Sequence, residues 1–123
     1  MAPIIRPLIK SSFIGLMLTV SLPSKGEPTA QGFFDMVHSQ AVFLEQCISR
    51  GFSAATDVHN SNIRKAEALG FTTHEFWNAV RKGARGEVYD LLQEKWVAVP
   101  IDQKWCRHVY AEQVKLQKTL SRY

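Results

Sequence analysis

Apolar residues recur every three or four positions along most of the chain, and this spacing constrains the fold more than any other feature. Such a stripe places its apolar side chains on one face of an α-helix, which must pack against other elements. The first stripe predicts a helix over 34–50, and Gly51 follows it in the position that a helix end favours. Its members are Phe34, Val37, Ala41, Leu44 and Ile48.

Two further stripes predict a second and a fourth helix. Residues 53–69 favour the second helix, or a shorter one from Ser61, because only the last part is clearly periodic. Pro100 biases the residue before it away from the helical region, so residues 96–100 are predicted to form an extended connector. Asp102 then caps a fourth helix that reaches about residue 120. Its predicted buried side comprises Trp105, Val109, Leu116 and Leu120.

The third predicted helix, 72–95, contains two glycines. It starts at a capping box, in which a threonine oxygen accepts a backbone hydrogen bond and Glu75 reaches back. Gly83 and Gly86 each cost about 1 kcal/mol relative to alanine in a helix, and they either permit another helix to approach closely or mark a break. Because the apolar stripe keeps its phase across both glycines, we favour one continuous helix. The stripe consists of Trp77, Val80, Ala84, Val88 and Leu91.

The two cysteines predict a structural disulfide. Cys47 lies near the end of the first helix and Cys106 in the first turn of the fourth, 59 positions apart. Catalytic thiol pairs usually have the much closer Cys-x-x-Cys spacing. A bridge across a loop of this length stabilises a chain by roughly 4 kcal/mol in the chain-entropy estimate, which matters for a small domain.

The predicted fold is therefore all-α: a bundle of about four helices joined by the Cys47–Cys106 bridge. The helical domain spans 34–123 and follows a flexible start at 27–33. Its layout resembles that of the small two-cysteine periplasmic chaperones of acid stress, which are helical and carry one long-loop disulfide. This likeness concerns topology and cysteine count, and it assigns no functional residue.

Residues 1–26 resemble a secretory signal peptide. Arg6 and Lys10 precede an apolar run over 13–22, no acidic residue is present, and the small residues Ser24 and Gly26 occupy the −3 and −1 positions of a possible cleavage site. We favour export to the periplasm or the medium over a mitochondrial transit peptide, because the apolar block is continuous. Cleavage after Gly26 fits best, with Ala30 as an alternative. In a third alternative the segment is retained and tethers the protein to a membrane.

Charge argues against nucleic-acid binding. Three of the 15 Lys and Arg residues and none of the 11 Asp and Glu residues lie within residues 1–26, which leaves +1 for the rest. A nucleic-acid-binding domain needs a basic stripe. The remaining charges are mostly scattered singly, with one basic cluster over 81–85.

His108 and Glu112 are the candidate residues for a metal-binding or catalytic site. Their i, i+4 spacing can present two metal ligands together, but a zinc site needs three or four, so we favour a surface ion pair. No catalytic motif is present. We therefore predict no catalytic residue, metal or cofactor, and keep as an alternative a small metal-dependent or hydrolytic enzyme that uses this pair.

Aromatic residues are numerous for so small a domain, and such a surplus suggests a surface that binds a partner. The functional prediction is thus an exported, non-enzymatic protein that binds another protein, as a chaperone, an inhibitor or an accessory factor. The binding surface is predicted where tryptophans and the basic cluster coincide, since interface centres favour both. In the competing interpretation, the tryptophans lie in the hydrophobic core. The candidate residues are Phe76, Trp77, Arg81, Lys82, Arg85, Leu92 and Trp96.

Overall fold

The computed structural model describes residues 28–70 and 76–123 and is mostly helical, as predicted. The signal segment and the capping box at Glu75 lie outside the described residues. The Cys47–Cys106 disulfide is confirmed. In chain order the described elements are α1 (Pro28–Ser49), α2 (Thr56–Ala68), α3 (Phe76–Ala84), β1 (Glu87–Asp90), β2 (Lys95–Ala98) and α4 (Gln103–Leu120).

Helix α1 is the centre of the fold, because α2, α3, β1 and α4 all pack against it. Its predicted stripe is buried, apart from the half-buried Ile48, and Gly51 ends it with φ of +100°. The helix starts earlier than expected, so residues 28–33, which were expected to precede it, belong to its first turns. Proline suits a first helical position, and the buried Phe33 anchors this start in the core.

The predicted continuous third helix is wrong, so the fold is mostly helical and not helical throughout. Helix α3 stops at Ala84, and Gly86 adopts φ of +88°, a conformation that residues with a Cβ rarely take. A Cβ on Gly86 would also lie 2.8 Å from the carbonyl oxygen of Val99. The chain therefore turns at Gly86 into an antiparallel hairpin of β1 and β2, and the predicted extended connector supplies most of β2.

The buried face of α3 also differs from the predicted stripe. Ala79 and Gly83 are buried, whereas Trp77 and Ala84 are exposed. A Cβ on Gly83 would lie 2.6 Å from the carbonyl oxygen of Ser39 on α1. Because the two helices approach closely, α3 packs against α1 through its small residues. Trp77 therefore lies outside this interface.

The start of α4 agrees with the sequence prediction. Asp102 accepts a hydrogen bond from the backbone N–H of Trp105 at 2.9 Å, so the predicted cap is confirmed. Cys106 follows in the first turn and joins Cys47 within a core cluster that also contains Phe43 and Leu44. Of the helices in 28–70 and 76–123, none has the length and apolarity needed to cross a membrane.

Candidate functional site

Helix α3 presents a tryptophan and an arginine to solvent. Trp77 is 64 % exposed, the largest exposure among the large apolar side chains of the described residues. Arg81 lies one turn further along the same helix and is also exposed. Residues four apart lie on one helix face, so these two side chains are neighbours. The side chain of Phe76 lies outside the described residues.

Lys82 connects this helix to the hairpin. Its Nζ lies 5.3 Å from the centre of the Trp96 ring, a cation–π distance. Tyr89 on β1 also packs edge-on against Trp96, with ring centres 5.3 Å apart. The same Nζ donates to Oε1 of Glu87 at 3.4 Å. Half-buried Trp96 is therefore held in place from two elements.

Glu87 offsets part of the positive charge. Its Oε2 accepts from Nε of Arg85 at 3.2 Å. Burial raises the pKa of this carboxyl, but the hydrogen bonds and charges of Arg85 and Lys82 outweigh burial and lower it overall. Across the described part of the chain, no carboxylate lies within ion-pair distance of Arg81. Arg81, Lys82 and Arg85 therefore outweigh Glu87, and this part of the protein surface has a net positive charge.

We call Trp77, Arg81, Lys82, Arg85 and Trp96 the basic–aromatic surface. These predicted residues lie on α3, on the turn after it and on β2. Leu92 does not join them: it is exposed in the loop at the far end of the hairpin from Arg85. Glu87 belongs with this surface and was missed, because nothing in the sequence showed that the chain folds back after Gly86.

A second polar feature lies inside the core. Nε2 of Gln113 donates to Oε1 of Gln40 at 2.6 Å, and Nε2 of Gln40 donates to Oε1 of Glu112 at 3.1 Å. Nδ2 of Asn62 donates to Oε1 of Gln113 at 2.8 Å. These four buried side chains tie α1, α2 and α4 together. With His108 they form what we call the polar network.

The His108–Glu112 pair is not on the surface, which corrects the favoured interpretation. Nε2 of His108 lies 2.6 Å from Oε2 of Glu112, and the side chains are only 15 % and 5 % exposed. Burial raises the pKa of Glu112, the nearby charge of Asp90 adds to this, and contacts from His108 and Gln40 oppose it. Among the residues placed by the structure, no group of three or more His, Cys, Asp or Glu side chains is arranged to hold a metal.

Glu112 is expected to make stability depend on pH. Its pKa is higher in the folded than in the unfolded chain, so the free energy of unfolding falls as pH rises from the ordinary glutamate range through the folded pKa. Glu112→Gln keeps the shape and removes this dependence. We expect the variant to melt above the wild type at neutral pH, with the difference closing toward about pH 4.

Melting temperatures measured across this range check the prediction. Glu94→Gln, which removes an exposed carboxylate of the hairpin loop, is the control and should follow the wild type. Parallel curves for the wild type and Glu112→Gln would contradict the assignment.

Comparison adds no further assignment, since no family model, curated protein or solved structure matches this chain. The case for function thus rests on the two features above. Trp77, Arg81 and Arg85 of the basic–aromatic surface are exposed, whereas the polar network is enclosed and joins helices.

Proposed function

We propose that this chain is an exported, non-enzymatic protein that binds another protein through the basic–aromatic surface. The observation that carries this proposal is the exposed Trp77 beside Arg81, an arginine without a nearby carboxylate in the described residues. Tryptophan and arginine are the residues that most often dominate binding energy at protein interfaces. The net positive charge selects a partner with an acidic surface.

The disulfide supports the export part of the proposal. Cys47 and Cys106 are both buried and bonded to each other, and such bridges persist in oxidising compartments. The periplasm and the extracellular medium are such compartments. Sequencing of the N-terminus of the protein isolated from its cells distinguishes a cleaved signal from a retained membrane tether.

The polar network favours binding over the enzymatic alternative. Both carboxylate oxygens of Glu112 are in contact with other side chains, Oε1 with Gln40 and Oε2 with His108. A group so enclosed is suited to holding α1 and α4 together. Metal analysis of protein purified without chelators tests the alternative directly.

Charge reversal tests the binding proposal. Arg81→Glu combined with Arg85→Glu should weaken binding of the partner at least about tenfold, because acidic groups that face the surface would then be repelled. The partner is first captured from the envelope and the medium by crosslinking to the wild-type protein, and its affinity is then measured by calorimetry. Both arginines are exposed, so the melting temperature should change little.

The matched control is Arg50→Glu with Arg64→Glu, which makes the same change in charge at two exposed positions outside the surface. It should bind like the wild type. An equal loss in both double variants would mean that only overall charge matters, and this would refute the proposed surface.

A further inference from the structure

One outer edge of the hairpin is covered by a neighbouring helix, which accepts a backbone hydrogen bond from it, and the other edge is not. The N–H of Val99 donates to the carbonyl of Gly86 at 2.7 Å, in register with the strand pairing. Hydrogen-bonded pairs alternate along an antiparallel ladder, so Val97 faces β1 while Trp96 and Ala98 direct their backbone groups away from it. On β1, the N–H of Tyr89 likewise points away from the partner strand.

The two edges differ in what they meet. The N–H of Tyr89 donates to Oγ of Ser39 at 3.1 Å, so α1 covers the edge of β1. Strand β2 packs chiefly against β1, and Ala98 is exposed. In the described part of the chain, the backbone N–H and C=O of Trp96 and Ala98 have no hydrogen-bond partner beyond the hairpin. A second strand can pair with such an edge.

We propose that β2 accepts an extended, acidic segment of a partner protein as a third strand. This inference rests on the proposed function and specifies how the partner binds. The main-chain groups of Trp96 and Ala98 would hold the segment, as in other complexes formed by strand addition. Pro100 lacks an N–H and the loop after Asp90 ends the strand, so only a few residues of the partner would pair.

Charge decides for an acidic segment over a second copy of this chain. Trp96 and Ala98 share one face of the hairpin, and Lys82 lies over the Trp96 ring on that face. Glu87, which pairs with Ala98, accepts from both Lys82 and Arg85, so two cations outweigh one carboxylate there. Two copies paired through β2 would bring the Lys82 side chains of both copies to one face, whereas carboxylates at alternate positions of a third strand would lie on the face of Lys82. A segment of alternating acidic and apolar residues fits this edge best.

Ala98→Pro tests the strand addition. Proline removes the outward N–H and is tolerated at a strand edge, whereas Ala98→Thr keeps the N–H and is the matched control. The probes are short capped peptides that alternate glutamate with valine or lysine with valine, measured by calorimetry against the full chain. We expect the acidic peptide to bind the wild type and Ala98→Thr, and to lose at least about tenfold in affinity for Ala98→Pro.

A second arm uses a modified probe, so that the result does not depend on how the proline variant folds. N-methylation of the acidic peptide on its pairing edge should remove binding to the wild type. Equal binding of the methylated peptide, no binding of the unmodified one, or dimerisation through β2 in sedimentation would each overturn the inference. If Ala98→Pro leaves binding of the natural partner intact while reversal of Arg81 and Arg85 removes it, the proposed function stands and strand addition falls.

Discussion

Replacing both cysteines by alanine is expected to lower the free energy of unfolding by about 4 kcal/mol. The bridge joins the end of α1 to the start of α4 across 59 positions, so it removes much conformational freedom from the unfolded chain. Both residues are also buried beside Phe43 and Leu44, and their loss leaves small voids. For a domain of this size the melting temperature should fall by roughly 15–30 °C.

Thermal unfolding followed by circular dichroism, with and without reductant, checks this expectation. Reductant should bring the unfolding transition of the wild type toward that of the Cys47→Ala, Cys106→Ala variant and should leave the variant unchanged. A fall of only a few degrees in the variant would show that helix packing, and not the bridge, supplies most of the stability.

Removing the centre of the polar network is expected to cost about 3 kcal/mol. Gln113 is fully buried and bonds to both Gln40 and Asn62. In Gln113→Ala, Oε1 of Gln40 loses its donor inside the core, and a void replaces the amide side chain. Nδ2 of Asn62 keeps its bond to the backbone carbonyl of residue 113 at 2.9 Å, which limits the loss.

Gln117→Ala provides the control one turn further along α4. Gln117 is half-buried and donates to Oγ of Ser61 at 3.5 Å, a long hydrogen bond. Its replacement should cost less than about 1 kcal/mol in urea unfolding. Equal costs at the two positions would mean that the network contributes nothing beyond ordinary packing.

Regular spacing predicts the long helices well. The stripe of α1 and the cap at Asp102 follow from local sequence patterns. The bridge between Cys47 and Cys106 follows because the chain has two cysteines at a spacing unlike that of catalytic thiol pairs. These features depend on residues close in sequence, or on one specific covalent bond. The first and last helices are therefore found without knowledge of the tertiary fold.

The hairpin was not predictable in the same way. Its loop lacks the Asn-Gly or Asp-Gly pair that marks a tight turn, and Glu94 adopts φ of +56° there without being a glycine. Asp90 stabilises the loop by accepting from the backbone N–H groups of Leu92 and Gln93. Val88 and Leu91 continue the helical spacing of the apolar residues before Gly86, although they belong to the hairpin. Only the positive φ of Gly86 in the folded chain reveals why the helix stops.

The candidate site was likewise predictable only in part. The cluster of tryptophan and basic residues was visible in the sequence, but its exposure depends on α3 turning its small residues toward α1. The polar network left a weaker signal: Gln113 lies four residues after Val109 and three before Leu116, within a buried stripe. A polar residue at such a position indicates a buried hydrogen bond, and its partners come from distant helices.

Photo-crosslinking from position 77 tests the central claim most directly. Benzoylphenylalanine replaces Trp77 in the full chain within its own cells, and the same group replaces Tyr123, another exposed aromatic residue, as the control. The account predicts a crosslink to one discrete protein from position 77 that disappears when Arg81 and Arg85 are changed to glutamate, and no such product from position 123. The same product from both positions, or one that survives the charge reversal, would contradict it.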